Sequence, residues 1–342
     1  MSTRRAVINK TGGGAEIKAD VPLPKLRDDY IIVKTKAVAL NPTDWKGAYG
    51  ARNSPGAIVG CDYAGIVDEV GKAVTTPFKK GDRVAGFIRG NDGSNHDNGA
   101  FAQVATAKGD LQIRIADSVS FEDAATLGVG ITTVGQGLFQ ALELPLPPNK
   151  VSKPTPILIY GASTATGTLA VQYAKLVGAT VYATASPHNF DLLKSLGADH
   201  VYNYRDAGVA AKIREDSDDS IRLVFDCIAE LGSPDFCGDA MSSKGGQYSA
   251  LLSAKVARDD VKSGFTLAYT AIGEDYSPNF PANKDDFDFG VKFWRLSEDL
   301  INSGKIKTHP ADVRGGLDDI IQGLEDLKAG KVSGAKLVYT ID

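Results

Sequence analysis

The rhythm of apolar and polar positions changes near residue 121. Before it, YIIVKTKAVAL (residues 30–40) alternates and is rich in β-branched side chains, the pattern of a half-buried strand. GIVDEVG (65–71) and DRVAGFI (82–88) are further short strands bounded by glycine, and AFAQVATA (100–107) resumes strand character. GNDGSNHDNG (90–99) is dense in turn formers and predicts a mobile surface loop. Many short strands separated by glycine-rich turns predict a small, partly open β-barrel.

From residue 121, FEDAATLGVGITTVGQGLFQAL (121–142) spaces its apolar residues helically, with glycines interrupting. ELPLPPNKVSKPTP (143–156) is too proline-rich for a central strand or helix and predicts a surface connector. Strand and helix patterns then alternate. ILIYG (157–161), TVYATA (180–185), HVYNY (200–204), RLVFDC (222–227) and GGQYSALL (245–252) read as strands. TGTLAVQYAKLVG (166–178) and NFDLLKSLG (189–197) read as helices ending at glycine. This alternation predicts an α/β fold with a doubly wound parallel sheet. The tail holds a helix, GLDDIIQGLEDLKAG (316–330), and a last strand, KLVYTI (336–341). No internal repeat is evident.

Composition narrows the function classes. The 342 residues are 43% hydrophobic and 23% charged, as in an ordinary globular protein, and the length predicts two domains. Thirty-eight Lys and Arg against 42 Asp and Glu give a formal net charge of -4, with no basic run to attract nucleic acid or anionic lipid. Cys61, Cys227 and Cys237 are too few for a disulfide framework, and the four histidines, His96, His188, His200 and His309, form no ligand-spaced cluster, so no metal is expected. MSTRRAVINK has no apolar segment behind its basic pair, and no stretch approaches the roughly 18 apolar residues of a membrane span. A reducing, cytoplasmic setting is the expectation.

ILIYGASTATGTLAVQYAKLVG carries the first candidate chemistry. A buried strand turns into a helix through the small residues of 161–167, which lets the backbone approach a pyrophosphate while the helix N-terminus offers free N–H groups. Ser163, Thr164 and Thr166 add hydroxyls. The strict GxGxxG spacing is absent, so a tight strand–helix corner without a ligand also fits. At the end of the next strand, an NAD site places a carboxylate on the ribose 2′-hydroxyl. Here the turn reads Ser186, Pro187, His188, Asn189, and Asp191 lies inside the following helix. An uncharged turn of donors suits a 2′-phosphate and favours NADPH; helix capping by Ser186 and Asn189 is compatible with that role.

NPTDWKGAYG (41–50), GCDYAGIVDEVG (60–71) and KKGDRVAG (79–86) resemble the medium-chain dehydrogenase/reductase superfamily, over nearly the whole chain and in order. The resemblance implies a GroES-like partly open β-barrel catalytic domain over residues 1–130 and 273–342, and a Rossmann domain over 131–272. Zinc-dependent members carry Cys at the start of the NPTDWK segment and a His-Glu pair where this chain has Cys61-Asp62, so the chain looks like the zinc-independent branch. YGASTATGT, ATASPHNFDLLKSLGAD, YNYRD, VFDC and SGAKLV closely resemble the fungal trans-acting enoyl reductases, stand-alone NADPH enzymes that serve a polyketide synthase in trans.

Carried over residue by residue, the resemblance implies that Ser163, Thr164, Ala165 and Thr166 grip the pyrophosphate. Ser186, Pro187, His188, Asn189 and Tyr204 would hold the phosphorylated ribose, and Thr43, Asp44, Trp45 and Lys46 the nicotinamide side. Leu251, Leu252, Val332 and Ser333 would border the cofactor. Ile131, Thr132, Thr133, Val134, Gly135, Gln136, Gly137, Leu138 and Phe139 would line the acyl pocket, together with Ala268, Tyr269, Thr270, Ala271 and Ile272. Residues 255–288 match poorly apart from FTLAYTAIGE.

The implied reaction adds hydride to the β-carbon of an α,β-unsaturated carbonyl and a proton to the α-carbon. Lys46 and Thr133 are the candidate polar groups for the carbonyl oxygen, with Lys46 or a water supplying the proton. The substrate is a small-molecule or carrier-bound enoyl compound, and the protein a monomer or homodimer. Two alternatives stand beside this reading: a quinone or alkenal reductase acting on free small molecules, and a non-catalytic NADPH-binding protein like the crystallin relatives.

Overall fold

In the computed structural model, which describes residues 2–342, the strand-rich beginning of the chain is completed by its end. Met1–Val129 and Phe287–Asp342 make one unit and Gly130–Asp286 another. The first stretch runs β1 (Thr3–Asn9), β2 (Ala15–Pro22), β3 (Tyr30–Ala39), α1 (Pro42–Ala48), β4 (Asp62–Val70), β5 (Arg83–Phe87), β6 (Val104–Lys108), β7 (Gln112–Arg114), α2 (Phe121–Ala125) and α3 (Gly128–Val134), which continues as a π-helix (Gly135–Ala141). The second unit adds β8 (Pro156–Tyr160), α4 (Ala165–Leu176), β9 (Thr180–Ala185), α5 (Phe190–Ser195), β10 (His200–Asn203), α6 (Val209–Asp216), β11 (Leu223–Asp226), α7 (Ser233–Ala240), β12 (Gly246–Ala250) and β13 (Val261–Phe265). α8 (Lys284–Asn302), β14 (Ala311–Val313), α9 (Ile320–Lys328) and β15 (Lys336–Thr340) close the chain.

In the first unit a seven-stranded mixed sheet has the path β14-β15-β3-β4-β5-β7, with β6 beside β3; β1 and β2 form a separate antiparallel pair, and among the described residues no barrel closes. Alternation explains β3: Lys34 and Lys36 point to solvent while Val33, Thr35 and Ala37 are buried. Its apolar face joins Tyr63, Phe101, Leu337 and Tyr339 in one core, which Ile320 and Leu324 of α9 complete. α9 packs so close that a Cβ on Gly323 would meet the Tyr339 hydroxyl at 1.9 Å.

The 90–99 segment is a loop exposed at Gly93, Ser94 and His96, as expected, and its two ends are anchored in the unit. Asn91, Asp92 and Asn98 are buried. The Asp92 carboxylate accepts from Ser94 N–H at 2.9 Å and Asn98 Nδ2 at 2.8 Å, and pairs with Arg89 at 3.2 Å. Arg27 Nη2 then donates to Asn98 Oδ1 at 2.6 Å. Asn and Asp mark turns because they bond nearby backbone, and the same capacity lets a loop fold onto its own side chains.

The second unit is a six-stranded parallel sheet in the order β10-β9-β8-β11-β12-β13. The direction of winding reverses between β8 and β11, where ligands of such sheets bind, at the carboxyl ends of the strands. Residues 273–286 stay with this unit: Thr270 Oγ1 donates to Asp286, and Gln140 Nε2 donates to the same carboxylate at 3.2 Å. Among the described residues no helix is long and apolar enough to cross a membrane.

Candidate functional site

After β8 the chain turns at Gly161, whose φ of +70° is the left-handed region glycine tolerates. Thr164 caps α4: its hydroxyl accepts from Gly167 N–H at 3.0 Å and donates to Gly161 O at 2.9 Å. Such a cap contributes about 1 kcal/mol. A Cβ on Gly167 would lie 2.5 Å from Gly161 O and 2.6 Å from Ala162 Cα, so only glycine lets α4 begin this close to its strand. The N–H groups of Ala165 and Thr166 precede the first intrahelical bond and face the positive end of the helix dipole. Thr164 spends its hydroxyl on the cap, whereas Ser163 and Thr166 beside these amides are half-buried.

β9 ends at Ala185, and Ser186 precedes a short 3-10 turn, Pro187–Asn189. Pro187 and His188 are exposed and Asn189 is buried; Asp191 is exposed on α5, and no carboxylate occupies the turn itself. The parallel register of β9 and β10 sets Asn203 beside Ala185, so the residues that follow each strand are neighbours. Tyr204 packs edge-on against Tyr160 with ring centres 6.1 Å apart. Exposed Arg205 lies 4.9 Å over the Tyr204 ring, with Nη1 3.5 Å from Ser186 Oγ. Sequence reasoning stopped at Tyr204 and missed Arg205; the signal was its adjacency in YNYRD. A hydroxyl and a guanidinium converging where an NAD site carries a carboxylate fit a phosphorylated ribose.

Leu251 and Leu252 follow β12 at the same carboxyl end of the sheet, Leu252 being exposed. Asp226, at the end of β11, is buried and committed to structure. It accepts from the N–H groups of Ile228 and Ala229, both at 2.9 Å, and from Tyr248 at 2.8 Å. Burial pushes the Cys227 and Cys237 thiols well above their ordinary range, so neither is a nucleophile.

The segments expected to line the acyl pocket are mostly buried. Ile131, Thr132, Thr133, Val134, Gly135, Gln136, Gly137, Leu138 and Phe139 all are, and a Cβ on Gly137 would meet the Phe225 ring at 2.3 Å. Ala268, Tyr269, Ala271 and Ile272 are buried as well, while Thr270 is half-buried and accepts from Gln136 Nε2 at 3.0 Å.

In the first unit, Asn41 and Pro42 start α1, and Asp44 Oδ2 accepts from Asn41 N–H at 2.7 Å. Thr43, Trp45 and Lys46 are half-buried, whereas Asp44 is fully buried. Burial, reinforced by nearby Asp62, pushes the Asp44 carboxyl up to about 7 against the opposing pull of the Asn41 N–H, Cys61 and Lys336. Its place is inside the unit. Thr43 takes Arg52 Nη2 on both its carbonyl and its hydroxyl at 2.9 Å. Lys46 Nζ lies 5.7 Å from the Trp45 ring centre. Val332 packs on this unit's core, and Ser333 is exposed.

Beside Asp44, Lys336 Nζ donates to Asp62 Oδ2 and reaches Thr126 O at 3.3 Å, while Val129 N–H donates to Asp62 Oδ1 at 2.7 Å. A buried ammonium therefore already neutralises Asp62. Burial, and secondarily the Lys336 charge, hold the His309 imidazole neutral, down to about 3. Among the described residues no group of three or more His, Cys, Asp or Glu is placed to hold a metal ion.

Residues 27–117 match the alcohol dehydrogenase GroES-like domain, and residues 165–243 the zinc-binding dehydrogenase domain. The chain is 58% identical to trans-enoyl reductase ACTTS2 of Alternaria alternata, covering all of both chains. It is 47% identical to trans-enoyl reductase resD of Aspergillus sclerotiorum, over 98% of this chain and 100% of that one. The CurK enoyl reductase structure superposes over the full length of both chains with a TM-score of 0.80 at 19% identity.

Proposed function

Because the chain belongs to the trans-enoyl reductases of the medium-chain dehydrogenase/reductase superfamily, we propose that it reduces an enoyl thioester with NADPH, in the service of a polyketide synthase. The observation that carries the reading is the 58% identity across the whole chain with an enzyme of that name. When bound, the dinucleotide supplies the hydride for the β-carbon.

The chain's residues do the remaining work. The amides of Ala165 and Thr166 hold the pyrophosphate at the start of α4. Ser186, Tyr204 and Arg205 hold the 2′-phosphate end, and this supports NADPH rather than NADH. Lys46 is assigned the negative charge that develops on the thioester carbonyl oxygen, and the proton for the α-carbon; Thr133 is the second candidate donor. Cys61 and Asp62 bind no metal in this reading, since Asp62 is already paired with Lys336 and the Val129 N–H.

Arg205→Ala tests the cofactor assignment. A charge-assisted bond to phosphate accounts for about 10- to 100-fold in affinity, so the NADPH Kd is expected to rise by that factor while the NADH Kd stays within about 2-fold. Fluorescence titration with both coenzymes reads the difference. Equal losses for the two would remove Arg205 from the 2′-phosphate site.

A further inference from the structure

α1 carries Lys46, and two locally unfavourable choices meet beside it. The next residue, Gly47, lies inside a seven-residue helix, where glycine is the poorest helix former after proline. Facing it is Asn91, whose φ of +56° falls in the left-handed region that few residues other than glycine and asparagine adopt. A Cβ on Gly47 would lie 2.5 Å from Asn91 Nδ2, 2.6 Å from Asn91 Cγ and 3.1 Å from Asn91 Cβ. The amide therefore fills a notch that only glycine leaves open.

Asn91 is 6% exposed. Its Nδ2 donates to Asp44 O, within α1, at 3.5 Å, while among the described residues its buried Oδ1 meets no donor. A buried carboxamide with one end unmet is uncommon, and here the end that bonds is the one that meets α1. The backbone that presents it has little slack. Asn91 N–H donates to Ile58 O at 2.9 Å, and Val59 N–H donates to Val7 O of β1 at 2.9 Å. A Cβ on the preceding Gly90 would lie 2.3 Å from Gly60 O. On the other side, Asp92 is held by Arg89, Ser94 and Asn98. The loop thus ties the amide to β1 and to the run before β4, and the amide meets α1 one residue from Lys46.

We infer that Asn91 is a positioning residue for the reduction: seated against Gly47, it sets the placement of α1 and thereby the aim of the Lys46 ammonium. A displacement of about 1 Å in a reacting group lowers a rate by up to about 100-fold, so a contact this close has leverage on Lys46. The inference rests on the reading of Lys46 given above and names what holds that side chain in place. Asn91 acts through Lys46 and takes no part in hydride or proton transfer.

A double-mutant cycle tests this. Glycine at position 91 keeps the left-handed backbone and removes only the side chain, and urea unfolding followed by tryptophan fluorescence checks that Asn91→Gly folds. With crotonyl-coenzyme A and NADPH both saturating, Asn91→Gly is expected to lower kcat about 10-fold, with the NADPH Kd within about 2-fold. Gly47→Ala favours the helix locally but crowds the amide, and is expected to lower kcat by a similar factor. In the Lys46→Ala background, Asn91→Gly is expected to lower kcat no further, because its route to the reaction is gone. Losses that multiply in the double variant would overturn the inference, since they report a general weakening of the unit. An unchanged kcat in Asn91→Gly or in Gly47→Ala would overturn it as well. Should Asn91→Gly not fold, Gly47→Ala combined with Lys46→Ala decides by the same criterion. Failure of the Lys46 reading looks different: Lys46→Ala alone would leave kcat unchanged, and the inference would fall with it.

Discussion

Lys336→Ala is expected to destabilise the first unit by about 3–5 kcal/mol, the cost of leaving a buried charge without its partner. Asp62 is fully buried and Lys336 only 4% exposed, so water cannot replace the lost ammonium. The damage spreads because Asp62 also holds Val129 N–H and Lys336 reaches Thr126 O, tying β4 and β15 to the segment after α2. Both tryptophans, Trp45 and Trp294, belong to this unit, so urea unfolding followed by tryptophan fluorescence reports on it directly. The double variant Asp62→Asn, Lys336→Met removes both charges and is expected to recover most of the loss. A change below about 1 kcal/mol for Lys336→Ala would show that the pair does not hold the unit together.

Lys46→Ala is expected to lower kcat for an enoyl thioester by about 100-fold, the range found for a single positioned donor or general acid. The side chain is rooted on a helix fixed at two points. Asp44 closes the first turn on Asn41, and the absent Cβ of Gly47 admits Asn91, whose Nδ2 sits 2.5 Å from where that carbon would be. Alanine is the best helix former, so α1 survives the change. NADPH affinity is expected to stay within about 3-fold, which separates a chemical role from a binding one. An unchanged kcat at saturation would take Lys46 out of the reaction.

The parallel sheet was the most legible part of the fold. β8, β9, β10, β11 and β12 are short apolar runs punctuated by glycine, and buried parallel strands leave that mark in sequence. β13 was not legible, since VKSGF has one buried residue and a glycine. α8 was missed although Phe293, Trp294, Leu300 and Ile301 keep helical spacing, because its charged start and the unmatched stretch before it hid the period.

The site divides in the same way. The turn at Gly161, the cap at Thr164 and the close approach at Gly167 follow from local chemistry that a sequence displays. Arg205 depends on strand register, which brings it to Ser186 across 19 positions of chain. The inward turn of Asp44 and the Asp62–Lys336 pair depend on tertiary packing, and no local pattern announces an ion pair 274 residues apart.

The most direct measurement follows oxidation of NADPH by the purified protein with crotonyl thioesters, set beside quinones and alkenals at matched concentrations. Turnover of the thioesters, with saturated acyl product and little consumption of quinone, is the predicted result. Rapid quinone reduction with the thioesters left untouched would contradict it.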